Sequence, residues 1–357
     1  MKIKNIITVV CVGIFLLGLT MWNLFGEKAE YSESERRVLA KFPEVTVGNI
    51  MDGSFGKEFE EYAVDGFPKR DVWRRIKAYV STGVFAQKDN HDIYTVNGHI
   101  SKMEYPMNRE MLDYVIELFH KVKDRYLKDN KIYLAVIPDK NRYLAEENGY
   151  LSFDYDGFTD YINEGMDFAD YIEIADLLEA DDYYFTDTHW RQEKLIDVAE
   201  RIAMGMGAEL QSDYTEVQLE TPFEGVFMGQ SALAHDPDEI IYLKNNVLDR
   251  VSVEGAKAVY DFEKASGKDA YEMFLSGNQP IVRMQDEDNR SGKRLILFRD
   301  SFGSSIAPLF MTGYSEIILV DLRYISSDML GQYIDFTNAD VLFLYSSLML
   351  NQPLGMN

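Results

Sequence analysis

The side chains best suited to chemistry fall in two short segments, Thr186-Asp187-Thr188-His189-Trp190 and, well downstream, Arg299-Asp300-Ser301-Phe302-Gly303. The first offers a carboxylate and an imidazole one residue apart, ahead of a helical pattern. In the second, Ser301 follows the apolar run Leu295-Ile296-Leu297-Phe298 and precedes Gly303-Ser304-Ser305-Ile306-Ala307, which predicts a sharp strand-to-helix turn. Serine, histidine and aspartate can act as nucleophile, general base and orienting carboxylate, and such a triad is defined by geometry rather than chain order. The chemistry in view is acyl transfer through a serine ester, with the Ser301 N–H at a helix start available to an oxyanion. Plainer readings stand beside it. Asp300 or Ser301 is a common helix cap, Asp187 can cap the helix ahead of it, and His189 can be a satisfied surface residue. Metal binding by Asp187 and His189 is a third reading, weakened because no other His or carboxylate stands nearby at ligand spacing. His91, His99, His120 and His235 show no partner pattern and read as structural, so neither a metal nor a cofactor is expected.

These residues need a frame. Ile132 to Ile137, Leu295 to Phe298, Ile317 to Val320 and Val341 to Tyr345 are short, fully apolar runs, the pattern of parallel strands buried on both faces. A weaker run spans Tyr171 to Leu178. Helical spacing marks Met111, Val115, Leu118 and Val122, and again Arg191 to Met204. Strands alternating with helices predict an α/β protein with a three-layer α/β/α sheet, and Ser301 would lie at the carboxyl end of its strand, where such sheets bind ligands. Residues from about 206 to 292 break the rhythm and read as an insertion framing a cleft. Upstream, Phe59, Tyr62, Ala63 and Phe67, then Val72, Ile76 and Val80, predict two helices. The expected division is therefore 1–25, 26–90 as a helical N-terminal extension, and 91–357 as the main domain.

Residues 1–25 read as a cytoplasmic tip and membrane anchor. Ile6 to Phe25 carries no charge, and at about 1.5 Å per residue it just crosses a hydrocarbon core roughly 30 Å thick. A cleaved signal peptide is the rival reading, but Gly26-Glu27-Lys28-Ala29 puts charges where small residues are wanted. Lys2 and Lys4 favour a cytoplasmic N-terminus, giving a single-pass protein of the cell membrane with an extracytoplasmic main domain. The sole cysteine, Cys11, lies inside the anchor, so thiol catalysis and internal disulfides are excluded outside the membrane. A net charge of −24 argues against nucleic acid and disfavours a polyanionic substrate. A neutral glycan or a small acyl donor fits better.

Together the two motifs resemble those of the DHHW proteins, which are similar to the SGNH-hydrolase-like domains of alginate O-acetyltransferase proteins. Tyr31-Ser32-Glu33-Ser34-Glu35-Arg36-Arg37, Asp65-Gly66-Phe67-Pro68-Lys69-Arg70 and Ile137-Pro138-Asp139-Lys140-Asn141 add to the resemblance. It implies a flavodoxin-like, permuted SGNH-type fold over 91–357, with Ser301 as nucleophile, His189 as general base and acid, and Asp187 as its orienting partner. It also implies O-acetylation, or deacetylation, of a cell-surface or exported polysaccharide, with the acetyl donor delivered by a membrane-bound O-acyltransferase. Where SGNH hydrolases usually carry glycine, this chain has Arg299, which puts the usual glycine contribution to the oxyanion site in doubt. Gly225, Gly229 and Asn351 are candidates for a second donor. Arg299 and Trp190 are expected at the substrate, although Arg299 also suits a salt bridge. The alternative function is a non-catalytic glycan-binding or scaffold subunit of an envelope polysaccharide-modification complex.

Overall fold

A computed structural model describes residues 2–353, 355 and 356. The chain divides into two compact units, Met1–His91 with Met228–Ala234, and Asp92–Phe227 with His235–Asn357. In the first, α1 (Lys2–Phe25) exposes its long apolar side chains, and its Ile3–Phe25 stretch has a mean hydropathy of 2.1. That helix is long and apolar enough to span a membrane. After a short helical stretch at Val47–Met51 come two longer helices, α2 (Ser54–Asp65) and α3 (Arg70–Tyr79). Helix α2 begins five residues ahead of the expected Phe59 and stops at Asp65, where Gly66 closes the last turn. Its aromatic face, Phe55, Phe59 and Tyr62, packs against Phe42. Val80 starts a single π-helical turn, Val80–Val84, rather than continuing α3.

The second unit is mixed α/β, around a seven-stranded sheet. Its strands are β1 (Ile132–Ile137), β2 (Asp170–Tyr171), β3 (Ser252–Glu254), β4 (Ile281–Gln285), β5 (Arg294–Arg299), β6 (Glu316–Val320) and β7 (Asp340–Ser346), in the order β2-β1-β7-β5-β6-β4-β3. The five from β2 to β6 are parallel, and β4 and β3 add antiparallel at one edge. All four apolar runs read as strands are central members. Alternate side chains go to opposite faces: Leu295 and Leu297 pack with Ile306 and Phe310 of α7 (Gly303–Phe310) and Ala199 and Ile202 of α6 (Ile196–Gly205). Ile296 and Phe298 pack with Leu112 and Phe119 of α4 (Arg109–Tyr126) and Phe158 and Ile162 of α5 (Tyr155–Gly165). Helices thus cover both faces, which is why the central strands read as unbroken apolar runs.

Three local expectations change. The Tyr171–Leu178 run pairs in the sheet only at Asp170–Tyr171, and Ala175–Leu177 forms a 3₁₀ turn instead. The helix expected from Arg191 starts at Ile196, after a separate turn at Gln192–Lys194. The segment from 206 to 292 is more than a loop, because it supplies β4 and the edge strand β3.

Candidate active site

Asp300 and Ser301 leave β5 at its carboxyl end, and the chain turns at once into α7. Asp300 shapes that turn: its Oδ1 accepts the Phe302 N–H at 3.0 Å, and its Oδ2 accepts the N–H and hydroxyl of Ser346, from the end of neighbouring β7, at 2.8 and 2.6 Å. It serves as a buried clamp between two strand ends, leaving Ser301 half-buried beside it.

His189 comes from a tight loop closed by the Tyr184 N–H bonding to the His189 carbonyl at 3.0 Å. Its Nε2 lies 2.8 Å from Ser301 Oγ and its Nδ1 lies 2.6 Å from Asp187 Oδ1. A carboxylate can only accept, so Nδ1 carries the proton, Nε2 accepts, and the Ser301 hydroxyl donates to it. Asp187 is fully buried; its Oδ1 also accepts the His189 N–H at 3.1 Å, and its Oδ2 accepts the Val226 N–H at 2.8 Å. Among the described residues no cluster of three His, Cys, Asp or Glu converges on a metal-sized site.

The Asp187 loop is held by residues far away in sequence. Asp238 accepts the Phe185 N–H, the Thr186 N–H and the Thr186 hydroxyl, at 2.7, 2.7 and 2.5 Å. Thr186 Oγ1 in turn accepts the Gly225 N–H at 2.8 Å. A Cβ at Gly225 would stand 2.2 Å from the Thr186 carbonyl, so only glycine lets the two backbones approach this closely. Buried Lys140 donates to the carbonyls of Tyr184 and Phe185 at 2.8 and 3.1 Å. Burial pulls its ammonium down to about 7, against the opposing pull of Asp187, Asp238 and Asp139.

The two motif segments meet through the first turn of α7. Trp190 Nε1 donates to Phe302 O at 3.1 Å and to Ser305 Oγ at 3.0 Å, and Gln192 Nε2 donates to Ser305 O at 2.6 Å. Tyr271 lies flat on the His189 ring, centroids 3.9 Å apart and planes 13° from parallel, with its hydroxyl 2.8 Å from Ser305 Oγ. Burial raises the Tyr271 phenol pKa, so it stays neutral.

Trp190 and Arg299, expected at the substrate, are both fully buried. Trp190 is a tie between the histidine loop and α7. Arg299 Nη1 donates to the Asp300 carbonyl at 3.2 Å and lies 3.6 Å from Asp321 Oδ2, so the salt-bridge reading describes it and contact with a substrate does not. Two candidates for a second oxyanion donor are already engaged. The Gly225 N–H bonds Thr186, and the Asn351 side chain bonds Asn108 and Pro106. Gly229 belongs to the other unit, against the Ser34 backbone. Sequence reasoning missed Tyr271, Asp238, Lys140 and Ser346 as site supports; Lys140 alone carried a signal, as a cation next to Asp139 at a predicted strand end.

No sequence-family profile matches the chain, and no curated protein does. Solved structures of the same fold exist. A DHHW family protein from Eubacterium siraeum aligns with a TM-score of 0.59 at 18% identity, over 72% of this chain and 91% of that one. PatB1 from Bacillus cereus, solved with a sulfonyl adduct, aligns at 0.56 and 15%, over 72% and 97%. The O-acetyltransferase domain of Pseudomonas putida AlgJ aligns at 0.44 and 12%, over 73% and 92%, a similarity too distant to build on. The likeness to DHHW proteins suggested by the motifs therefore holds at the level of the fold.

Proposed function

We propose that this chain is a membrane-anchored, extracytoplasmic acyl-ester enzyme of the permuted SGNH type, an O-acetyltransferase or acetylesterase acting on a cell-surface or exported polysaccharide. The observation that carries the reading is the continuous hydrogen-bonded chain from Asp187 through His189 to Ser301 at the carboxyl ends of the strands. His189 Nε2 takes the Ser301 proton as Oγ attacks the acyl carbonyl, and Asp187 holds the tautomer and stabilises the imidazolium. The Ser301 N–H meets the developing oxyanion at the start of α7. Collapse expels the donor's leaving group, which receives the proton from His189 and leaves an acetyl ester on Ser301. A sugar hydroxyl, deprotonated by the same Nε2, then attacks the ester; collapse breaks the bond to Ser301 Oγ, which takes that proton back from His189, and the acetyl leaves on the sugar, or as acetate where water attacks instead. The motif resemblance supports acetyl as the acyl group, a glycan as the acceptor and a membrane-bound O-acyltransferase as the source of the donor. The apolar length of α1, with Lys2 and Lys4 before it, supports a single-pass anchor with a cytoplasmic N-terminus.

Intact mass spectrometry of the detergent-solubilised chain after incubation with an activated acetyl ester tests this. A single acetyl group on the wild type, absent from Ser301→Ala, is the expected result. No adduct and no turnover from folded protein would overturn it in favour of a non-catalytic subunit.

A further inference from the structure

Helix α3 turns two of its arginines inward and its apolar side chains out. Arg70 and Arg74 are the half-buried residues: Arg70 pairs with Glu35 and with Asp65, and Arg74 pairs with Glu35 at 3.2 Å and donates to the carbonyls of Gly229 and Gln230 at 3.0 and 2.7 Å. Ala78 shares that buried side. Helical spacing puts Val72, Trp73, Ile76 and Tyr79 together on the opposite side, where they are 52%, 43%, 49% and 72% exposed. Phe85, just past the following turn, is 72% exposed. A helix on a water-facing surface has the reverse arrangement, and a contiguous exposed apolar face marks an interaction surface.

What covers that face is read from its neighbours and its charge. Helix α1 belongs to the same compact unit. Asn23, two residues before α1 ends, donates to the Ala63 carbonyl near the end of α2 at 3.1 Å. Lys28, three residues after α1, lies over the Tyr62 ring at 3.5 Å and against Gly66. Phe67 then meets the Trp73 ring edge-on, with centroids 6.4 Å apart. The end of the apolar helix thus packs on the end of α2, and the chain leaving α2 packs on the exposed face of α3. By helical position Arg75 and Lys77 flank the apolar side, and α3 carries four basic residues against one acidic in a chain whose net charge is −24. Tryptophan, tyrosine and flanking cations are the side chains favoured where acyl chains give way to anionic headgroups.

We propose that α3 and the turn after it lie in the membrane interface, Trp73, Ile76 and Tyr79 toward the acyl chains and Arg75 and Lys77 toward anionic headgroups. This second membrane contact rests on the reading of α1 as an anchor. It makes the remainder of the unit that holds α1 a part of the attachment to the bilayer rather than a spacer.

The test uses the full chain with Cys11→Ser, reconstituted in vesicles of phosphatidylcholine and phosphatidylglycerol. An environment-sensitive fluorophore is placed at Ile76→Cys, at Tyr79→Cys in a second variant, and at exposed Glu263→Cys as control. Expected are blue-shifted emission at 76 and 79, quenching there by lipid spin-labelled near the headgroup, and neither at 263. Arg75→Glu with Lys77→Glu should weaken the quenching on these vesicles and leave it unchanged on pure phosphatidylcholine. Flotation of the same samples reports on α1 separately, and a chain that fails to float removes the anchor reading and this inference with it. A chain that floats with labels 76 and 79 as water-exposed as 263 overturns the interface contact alone. Labels shielded yet unquenched also overturn it, and assign the face to protein.

Discussion

Ser301, His189 and Asp187 form one hydrogen-bonded chain, and groups acting in concert lose function together. Ser301→Ala and His189→Ala should each lower acetyl-ester turnover by on the order of a thousandfold or more, and the double variant should be little worse than either single. Losses that add in free energy would show that the two side chains work separately. Asp187→Asn should cost roughly 10³–10⁴-fold in kcat, because an amide that donates toward Nδ1 selects the wrong tautomer. Tyr271 divides into two contributions: Tyr271→Phe keeps the stack on His189 and loses the hydroxyl's bonds to Ser305 Oγ and, at 3.4 Å, to the Ser301 carbonyl, about 1–2 kcal/mol of stability by urea unfolding. Tyr271→Ala uncovers the imidazole and should lower kcat as well. Type and spacing were enough to single out the three polar residues. They could not say that Trp190 and Arg299 are buried, because a motif neighbour's burial depends on which distant segment packs over it.

The elements that position these side chains are joined at close backbone approaches. Gly225→Ala would drive a methyl group into the Thr186 carbonyl and displace the Asp187 loop, with an expected cost of about 1–3 kcal/mol and a parallel loss of kcat. Gly56→Ala, in helix α2 with open space around it, should instead stabilise by about 0.5–1 kcal/mol. Thermal unfolding of the two variants should therefore shift in opposite directions. Continuous apolar runs made β1, β5, β6 and β7 legible, because burial on both faces removes any need for polar residues. The antiparallel strands β3 and β4 had no such signature. Their side chains are mixed and their partners come from other parts of the chain, as Ile281 to Gln285 shows by pairing with Val320 to Glu316.

At the scale of the molecule, stability responds to pH through groups the fold buries. Glu104 is nearly inaccessible, and burial together with nearby Asp139 raises its carboxyl to about 7, despite Lys102 at 3.8 Å. Between its ordinary 4.5 and about 7 the folded chain holds a proton that the unfolded chain has released, so this group makes stability fall as pH rises through that window. Glu104→Gln should remove that slope: relative to wild type, its urea midpoint should rise as pH climbs from 4.5 past 7. A constant difference across that range would show that Glu104 ionises normally. The sequence by itself determined what local physics can encode: an apolar segment long enough to cross a membrane, buried parallel strands, and a serine placed after a strand. Tertiary structure alone decided which segments share the site. Asp238, Tyr271 and Ser346 reach it from separate parts of the chain, and Arg70 and Arg74 of α3 face inward because Glu35 and Asp65 wait there. Periodicity reports that a helix has two faces. Which face is covered depends on partners that local sequence does not contain.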